Sequence, residues 1–323
     1  MINSNDLYEF IMKEHKNNNQ ISLNFNRSVS YRMLENEVER CCLKLSNEGI
    51  KEGSRVALRV VHSYSLIYLI LALWKNNNQV MLLDPRLKEN EVNELIHIAK
   101  PNFYIESIQQ HSLLAKFKEE VEIKLVKHYD DSHSDHVSLI LSSSGSTGIP
   151  KIIGRTPESI IEEIKNTAKQ EGSIRKDDTV LILSSLHHSY GLITALLHSL
   201  YSGATVTFSQ SNQKNEIINT LINKKVSALF AVPAHYELLT NSFEQAAYPR
   251  LRIALSAGDI LKEETFDRFH DQFGIPIGLN YGMTEVGMIS IDFLGRFPQT
   301  CGPNLLWIQL QSIERSTIFM SSA

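Results

Sequence analysis

The chain has 323 residues, and its 32 Lys plus Arg against 36 Asp plus Glu give a formal charge of −4. That balance gives no support to a nucleic-acid coat or a polybasic membrane anchor. With 42% hydrophobic and 21% charged residues, the chain can bury a large core divided over more than one lobe.

The first 19 residues are polar and carry no apolar stretch of signal-peptide type. Apolar Leu34, Val38, Cys41, Cys42 and Leu45 recur at helical spacing and predict a helix over 30–45, capped by Ser30. Residues 55–61 read as a strand, 63–75 as a largely buried helix, and 79–83 as a second strand closed by Asp84-Pro85. The longest apolar run, 66–74, is too short to cross a bilayer. A helix over 89–99 and a short strand over 102–105 follow, then a polar stretch, 130–136, expected to be a linker or surface turn. Beyond it the expected order is strand 137–141, small-residue loop 142–151, helix 156–171 with Pro157 in its first turn, strand 179–184 and helix 191–201. Strands at 205–209, 228–231 and 252–256 alternate with helices at 216–224 and 263–273. Such alternation predicts an α/β fold with largely parallel sheets.

Two segments carry chemistry. In Ser142-Ser-Ser-Gly-Ser-Thr-Gly-Ile-Pro-Lys151 a strand runs into small hydroxyl and glycine residues and then one lysine. Glycines let backbone N–H groups approach phosphate oxygens, hydroxyls add donors and lysine adds charge. A flexible linker is the rival reading. A Walker A loop does not fit, because Pro150 and Ile152 flank the lysine where Gly and Ser or Thr are needed. The chain also lacks a G-x-S-x-G elbow, which weakens a hydrolase reading. In Leu279-Asn-Tyr-Gly-Met-Thr-Glu285, a tyrosine could stack on a purine, a threonine could donate to a phosphate, and a glutamate could hold Mg²⁺. A plain turn with an exposed glutamate is the alternative.

Together these segments resemble the adenylate-forming, AMP-binding superfamily of acyl-CoA synthetases, peptide-synthetase adenylation domains and luciferases. Ser143-Ser-Gly-Ser-Thr-Gly-Ile-Pro-Lys151 is similar to its phosphate loop, and Tyr281-Gly-Met-Thr-Glu285 to its Y-G-x-T-E motif. Val29-Ser-Tyr-Arg-Met-Leu34, the stretch 73–85, Leu186-His-His-Ser-Tyr-Gly191 and Leu251-Arg-Ile-Ala-Leu-Ser-Ala-Gly258 resemble four further family segments in the family's order.

The resemblance implies a large N-terminal domain of two stacked, largely parallel sheets with flanking helices, in subdomains of about 1–183 and 184–310 with an irregular tail, 311–323. It implies ATP-dependent activation of a carboxylic acid as an acyl or aryl adenylate, with Mg²⁺, followed by transfer to CoA or a carrier-protein pantetheine. Ser143, Ser144, Gly145, Ser146, Thr147, Gly148 and Lys151 would hold the β- and γ-phosphates. Thr284 would contact the α-phosphate and Glu285 the metal. Asn280, Tyr281, Gly282 and Met283 would flank adenine, as would Ala257, Gly258 and Asp259.

His188 falls at the family's gate position beside the acid and the thiol tunnel, with a buried structural histidine as the alternative; His187 fits less well. The acid pocket is expected near His188, Tyr190, Val232 and Ala257. No Asp or Glu occurs between 181 and 210, which favours a simple acyl or aryl acid over an amino acid. The chain ends without the family's ribose-binding Asp segment, hinge and lid Lys, so the lid is expected to be absent and the chain a poor catalyst of the full reaction. A lidless nucleotide- or acyl-binding protein is the non-enzymatic alternative.

His133-Ser-Asp-His136 reads as a polar turn rather than a metal site, and Cys41 and Cys42 as helix residues facing the core. Three cysteines cannot make a disulfide framework, which points to a reducing, cytoplasmic setting.

Overall fold

The computed structural model describes residues 2–107, 121–125, 136–143, 151–241, 250–297 and 316–319. The chain divides into two units, Met1–Asn19 with Tyr31–Ile161 and Ser312–Ala323, and Gln20–Ser30 with Glu162–Gln311. No helix among the described residues is long and apolar enough to cross a membrane.

In the first unit, α1 (Ser4–Met12), α2 (Tyr31–Asn47), β3 (Arg55–Arg59), α3 (Tyr64–Lys75), β4 (Gln79–Leu82), α4 (Glu89–Ala99) and β5 (Phe103–Ser107) follow in order. Strands β6 (Val121–Leu125), β7 (Leu139–Ser143), β8 (Lys151–Arg155) and β15 (Ser316–Phe319) complete a seven-stranded sheet, ordered β15-β8-β7-β4-β3-β5-β6. The inner strands β7, β4, β3 and β5 are parallel, while β6, β8 and β15 add antiparallel edges. Buried parallel strands read as unbroken apolar runs because helices cover both faces, and β3 and β4 are buried throughout. Helix α3 is buried from Tyr64 to Trp74, all round its circumference, so burial rather than amphipathic spacing marks it. Ser63 caps it by accepting from the Leu66 N–H at 3.2 Å, and Trp74 Nε1 donates to Ser138 O at 2.9 Å. Val92, Leu95 and Ala99 of α4 pack with Ala57, Met81 and Ile140 of the sheet.

The second unit contains β1 (Ile21–Asn24), β2 (Ser28–Ser30), α5 (Pro157–Ala168, shared across the boundary), β9 (Thr179–Ile182), α6 (His198–Tyr201) and β10 (Thr205–Thr207). It continues with α7 (Lys214–Asn223), β11 (Ala228–Ala231), α8 (Pro233–Thr240), β12 (Ile253–Ser256), α9 (Glu263–Phe273), β13 (Gly278–Met283) and β14 (Gly287–Ile291). Its eight-stranded sheet runs β14-β13-β12-β11-β9-β10-β1-β2, parallel from β1 to β13 with antiparallel edge pairs β1–β2 and β13–β14. Its core joins Leu181, Leu229 and Ala254 of the sheet to Tyr236, Leu239, Phe269 and Phe273 of α8 and α9. The Phe269 and Phe273 rings stack at 4.2 Å, and Tyr236 meets Phe269 edge-on at 5.2 Å.

The division of the chain falls inside α5, and β9 pairs with β10 and β11 of the second sheet. The hairpin at 20–30 belongs to the second unit, where Leu23 registers with Val206. Within the tail expected to be irregular, residues 316–319 pair with β8. The helix expected at 191–201 is a π-helix over Tyr190–Leu197 that passes into α6. A β-carbon on Gly191 would lie 2.1 Å from Ser185 O, so only glycine permits that turn to close on the strand exit. The expected linker at 130–136 lies outside the described residues except for exposed His136.

Candidate functional site

Ligands of open α/β sheets bind beyond the carboxyl ends of the parallel strands, where the chain turns outward. In the second unit that edge carries the exits of β9, β11, β12 and β13, and each predicted site residue of this unit lies on one of them.

Ser256 ends β12, Ala257 is buried, and Gly258 turns the backbone at φ +90° into Asp259. Asp259 Oδ1 accepts from the N–H of Ile260 at 2.7 Å. The adjacent β13 carries Asn280, Tyr281, Gly282 and Met283. The two stretches form walls of a cleft of about 590 Å³, lined among others by Gly258, Asp259, Asn280, Tyr281 and Gly282. Five residues singled out by two separate motifs thus share one cavity. Tyr281 is half exposed, and Asn280 is buried with its amide donating to Ser290 O at 3.3 Å.

Thr284 and Glu285 stand in the turn between β13 and β14, both half-buried, and the Val286 N–H closes the turn on Met283 O at 3.2 Å. The expected convergence after a strand is therefore the tip of a β-hairpin. A β-carbon on Gly282 would approach Gly287 O to 2.7 Å, so the glycine of this motif is required by close backbone approach across the hairpin. Glu285 contributes one carboxylate, and no group of three or more His, Cys, Asp or Glu among the described residues could hold a metal by itself. A hard divalent ion here would have to draw most of its oxygen ligands from phosphate and water.

His188 is exposed, on the turn after β9, and does not line the cleft. Its carbonyl accepts from the Leu192 N–H at 3.0 Å, which anchors the π-helix. His187 is buried, with Nδ1 3.3 Å from Ser185 Oγ. Two residues beyond His188, Tyr190 donates to Leu255 O at 2.6 Å, and burial drives its pKa well above the ordinary phenol value. Val232 Cγ1 lies 3.8 Å from the position of a β-carbon on Gly258, and burial lowers the pKa of neighbouring His235. Burial thus favours the neutral forms of Tyr190 and His235 beside the expected acid pocket.

The phosphate-loop residues belong to the first unit. Ser143 and Lys151 are register partners across β7 and β8, and Lys151 is an exposed strand residue rather than the end of a loop. Ser144, Gly145, Ser146, Thr147 and Gly148 lie outside the described residues.

Glu263, Phe266 and Asp267 also line the cleft. Their spacing of three and four places them on one face of α9, a helix legible from sequence, although no local pattern says which face meets a cavity. Ile260 is 87% exposed, an unusual position for so large an aliphatic side chain at a cleft mouth.

The chain is 24% identical over 309 residues to an oxalate–CoA ligase of Arabidopsis thaliana, covering 86% of this chain and 60% of that protein. It is 25% identical over 323 residues to a 3-hydroxybenzoate–CoA/4-hydroxybenzoate–CoA ligase of Thauera aromatica, covering 89% of this chain and 61% of that one. The chain therefore spans about 60% of the length of these curated relatives. The fold superimposes on the ATP-bound structure of MatB from Rhodopseudomonas palustris with a TM-score of 0.79 at 18% identity, covering 94% of this chain and 65% of that one. The AMP-binding enzyme family matches residues 12–314, nearly the whole sequence, and the chain belongs to that family.

Proposed function

We propose that the chain forms the nucleotide- and acid-binding part of an ATP-dependent ligase that activates a carboxylic acid as its adenylate and passes the acyl group to CoA. The observation that carries this reading is the convergence of Gly258, Asp259, Asn280, Tyr281 and Gly282 on one cleft beside the Thr284–Glu285 hairpin tip. The CoA ligases among its relatives support CoA over a carrier protein as the acceptor.

In this reading the cleft takes the base of the nucleotide. The Thr284 hydroxyl donates to the α-phosphate, and Glu285 supplies one carboxylate oxygen to Mg²⁺. Residues 143–148 and Lys151 neutralise the outer phosphates. Two anions, a carboxylate and a triphosphate, must meet for reaction, so charge neutralisation and alignment are the main tasks of such a site. His188 stands beside the acid. The burial that keeps Tyr190 and His235 neutral, and the absence of any acidic residue from 181 to 210, support an apolar acyl or aryl acid over an amino acid.

Isothermal titration with ATP and Mg²⁺ tests the nucleotide site. Thr284→Ala and Glu285→Ala each remove a charge-assisted or metal contact and are expected to weaken binding by roughly tenfold or more. Unchanged affinity in both variants would refute the site. Pyrophosphate exchange with fatty, aryl and amino acids identifies the acid class, and a clear preference for an amino acid would contradict the pocket assignment.

A further inference from the structure

Among the described methionines, Met283 is the one that stands in solvent. It is 46% exposed, whereas Met12 and Met81 are wholly buried, Met288 is 7% exposed and Met33 is half-buried. The Met288 sulfur is also occupied, because it accepts from Thr167 Oγ1 at 3.4 Å. An exposed thioether keeps its lone pairs open to an oxidant, and packing shields the buried ones. The main chain at Met283 is pinned. It stands opposite Gly287 in the β13–β14 pair, and its carbonyl accepts from the Val286 N–H at 3.2 Å. A change in this side chain is therefore delivered to the hairpin tip, whose next two residues are Thr284 and Glu285.

We infer that Met283 is an oxidation switch: hydrogen peroxide converts its thioether to the sulfoxide, and the modified side chain weakens nucleotide binding at the adjoining hairpin tip. In this step a sulfur lone pair attacks one peroxide oxygen, so an S–O bond forms and the O–O bond breaks. Sulfur gives up two electrons, the peroxide gains them, and the departing oxygen takes a proton and leaves as water. The product carries a polar acceptor where an apolar chain stood, and methionine sulfoxide reductases reverse it. One residue from the Thr284 hydroxyl, that oxygen competes for the donor a phosphate would use, and its partial negative charge opposes an incoming anion. The effect on binding rests on the nucleotide reading above; the modification itself does not.

The test treats the full chain with dilute hydrogen peroxide and then with a thiol reductant, which reverses cysteine sulfenic acids and disulfides but leaves the sulfoxide. Peptide mass mapping over time is expected to show Met283 gaining oxygen well ahead of Met12, Met81 and Met288. Calorimetric titration with ATP and Mg²⁺ should then show affinity reduced by roughly three- to tenfold. Methionine sulfoxide reductases should restore it. The Met283→Leu chain, whatever its starting affinity, should keep that affinity through the same treatment. Oxidation of Met283 no faster than of the three buried methionines overturns the site. Undiminished affinity of the chain oxidised at Met283, or an equal loss in Met283→Leu, overturns the switch. An untreated chain that binds no ATP removes the nucleotide reading and the switch together, and the mapping still decides the site of oxidation.

Discussion

Tyr190 and Tyr236 donate to the same carbonyl oxygen, that of Leu255, at 2.6 and 2.9 Å. One hydroxyl comes from the π-helix and the other from α8, and both fasten the end of strand β12 just before Ser256 in the cleft wall. Burial raises the pKa of both phenols, and for Tyr236 the neighbouring Tyr190 adds to the rise, so both stay neutral donors.

Removing either hydroxyl leaves the other one on the Leu255 carbonyl. Tyr190→Phe and Tyr236→Phe are each expected to cost about 1 kcal/mol. The double variant removes both side-chain donors from Leu255 O and, because they share that acceptor, its cost should depart from the sum of the two. Urea unfolding of the three variants checks this, and strict additivity would show that the shared acceptor does not couple them.

Asp178 is buried at the start of β9, where it accepts from Arg252 Nε at 3.0 Å, Ser227 Oγ at 2.7 Å and the Arg175 N–H at 2.6 Å. Burial opposes its ionisation, but these hydrogen bonds outweigh burial and hold its pKa below the ordinary carboxylate value. Arg252 also binds the carbonyls of Gly172 and Ser173, both at 2.9 Å, so the pair ties β12 to the loop before β9. Asp178→Ala is expected to cost roughly 3 kcal/mol, because it strands a partly buried guanidinium. The folded-state pKa is depressed, so this stabilisation is present above the unfolded-state value and is lost as pH falls through the folded one. Denaturant midpoints measured from pH 6 downward should therefore fall more steeply below about pH 4 in the wild-type chain than in the variant.

His198 acts in a higher pH window. It is wholly buried, with Nε2 3.1 Å from Ser173 Oγ and its ring 6.1 Å from Phe293. Burial lowers its pKa to about 4, so the folded chain holds it neutral. As pH falls through the unfolded-state value of about 6.5 the unfolded chain takes up a proton that the folded chain refuses. Stability should drop by about 1.4 kcal/mol per pH unit from this group until the folded-state value is reached. His198→Gln should remove that slope between about pH 6 and pH 4, and an unaltered slope would contradict the assignment.

Gly191→Ala places a methyl group 2.1 Å from Ser185 O, so the π-helix and the strand exit must move apart. Overpacking of this kind is expected to cost about 2–3 kcal/mol. Thermal unfolding measures the loss, and a variant as stable as the wild-type chain would show that the close approach is not needed.

Helices 89–99 and 263–273 and strand 228–231 are found at the residues read from sequence, because their signals are local. Both helices end where Lys100 or Gly274 turns left-handed, and the strand is a short apolar run between turn residues. Strands β1 and β2 were not legible, since Leu23 is held in place by Val206, far along the chain. Their four- and three-residue sequences are too short to carry a clear preference of their own. The π-helix likewise looks helical in sequence, and the register of its hydrogen bonds is set by the Ser185 carbonyl against Gly191.

By itself, the sequence determined the α/β class, the family, and two stretches, 257–259 and 280–285, that supply residues to the cleft. Their residue types suit backbone turns and polar contacts, and that chemistry is carried by residues adjacent in the chain. Only the tertiary structure decided that β12 and β13 lie side by side, with Leu255 opposite Gly278 and Ser256 opposite Leu279, so that the two stretches face one cavity. It also decided that Glu263, Phe266 and Asp267 complete the wall. The physical reason is that sheet order and helix docking are set by burial of apolar faces distant in sequence, such as Phe269 against Tyr236, and no local pattern records which distant faces will meet.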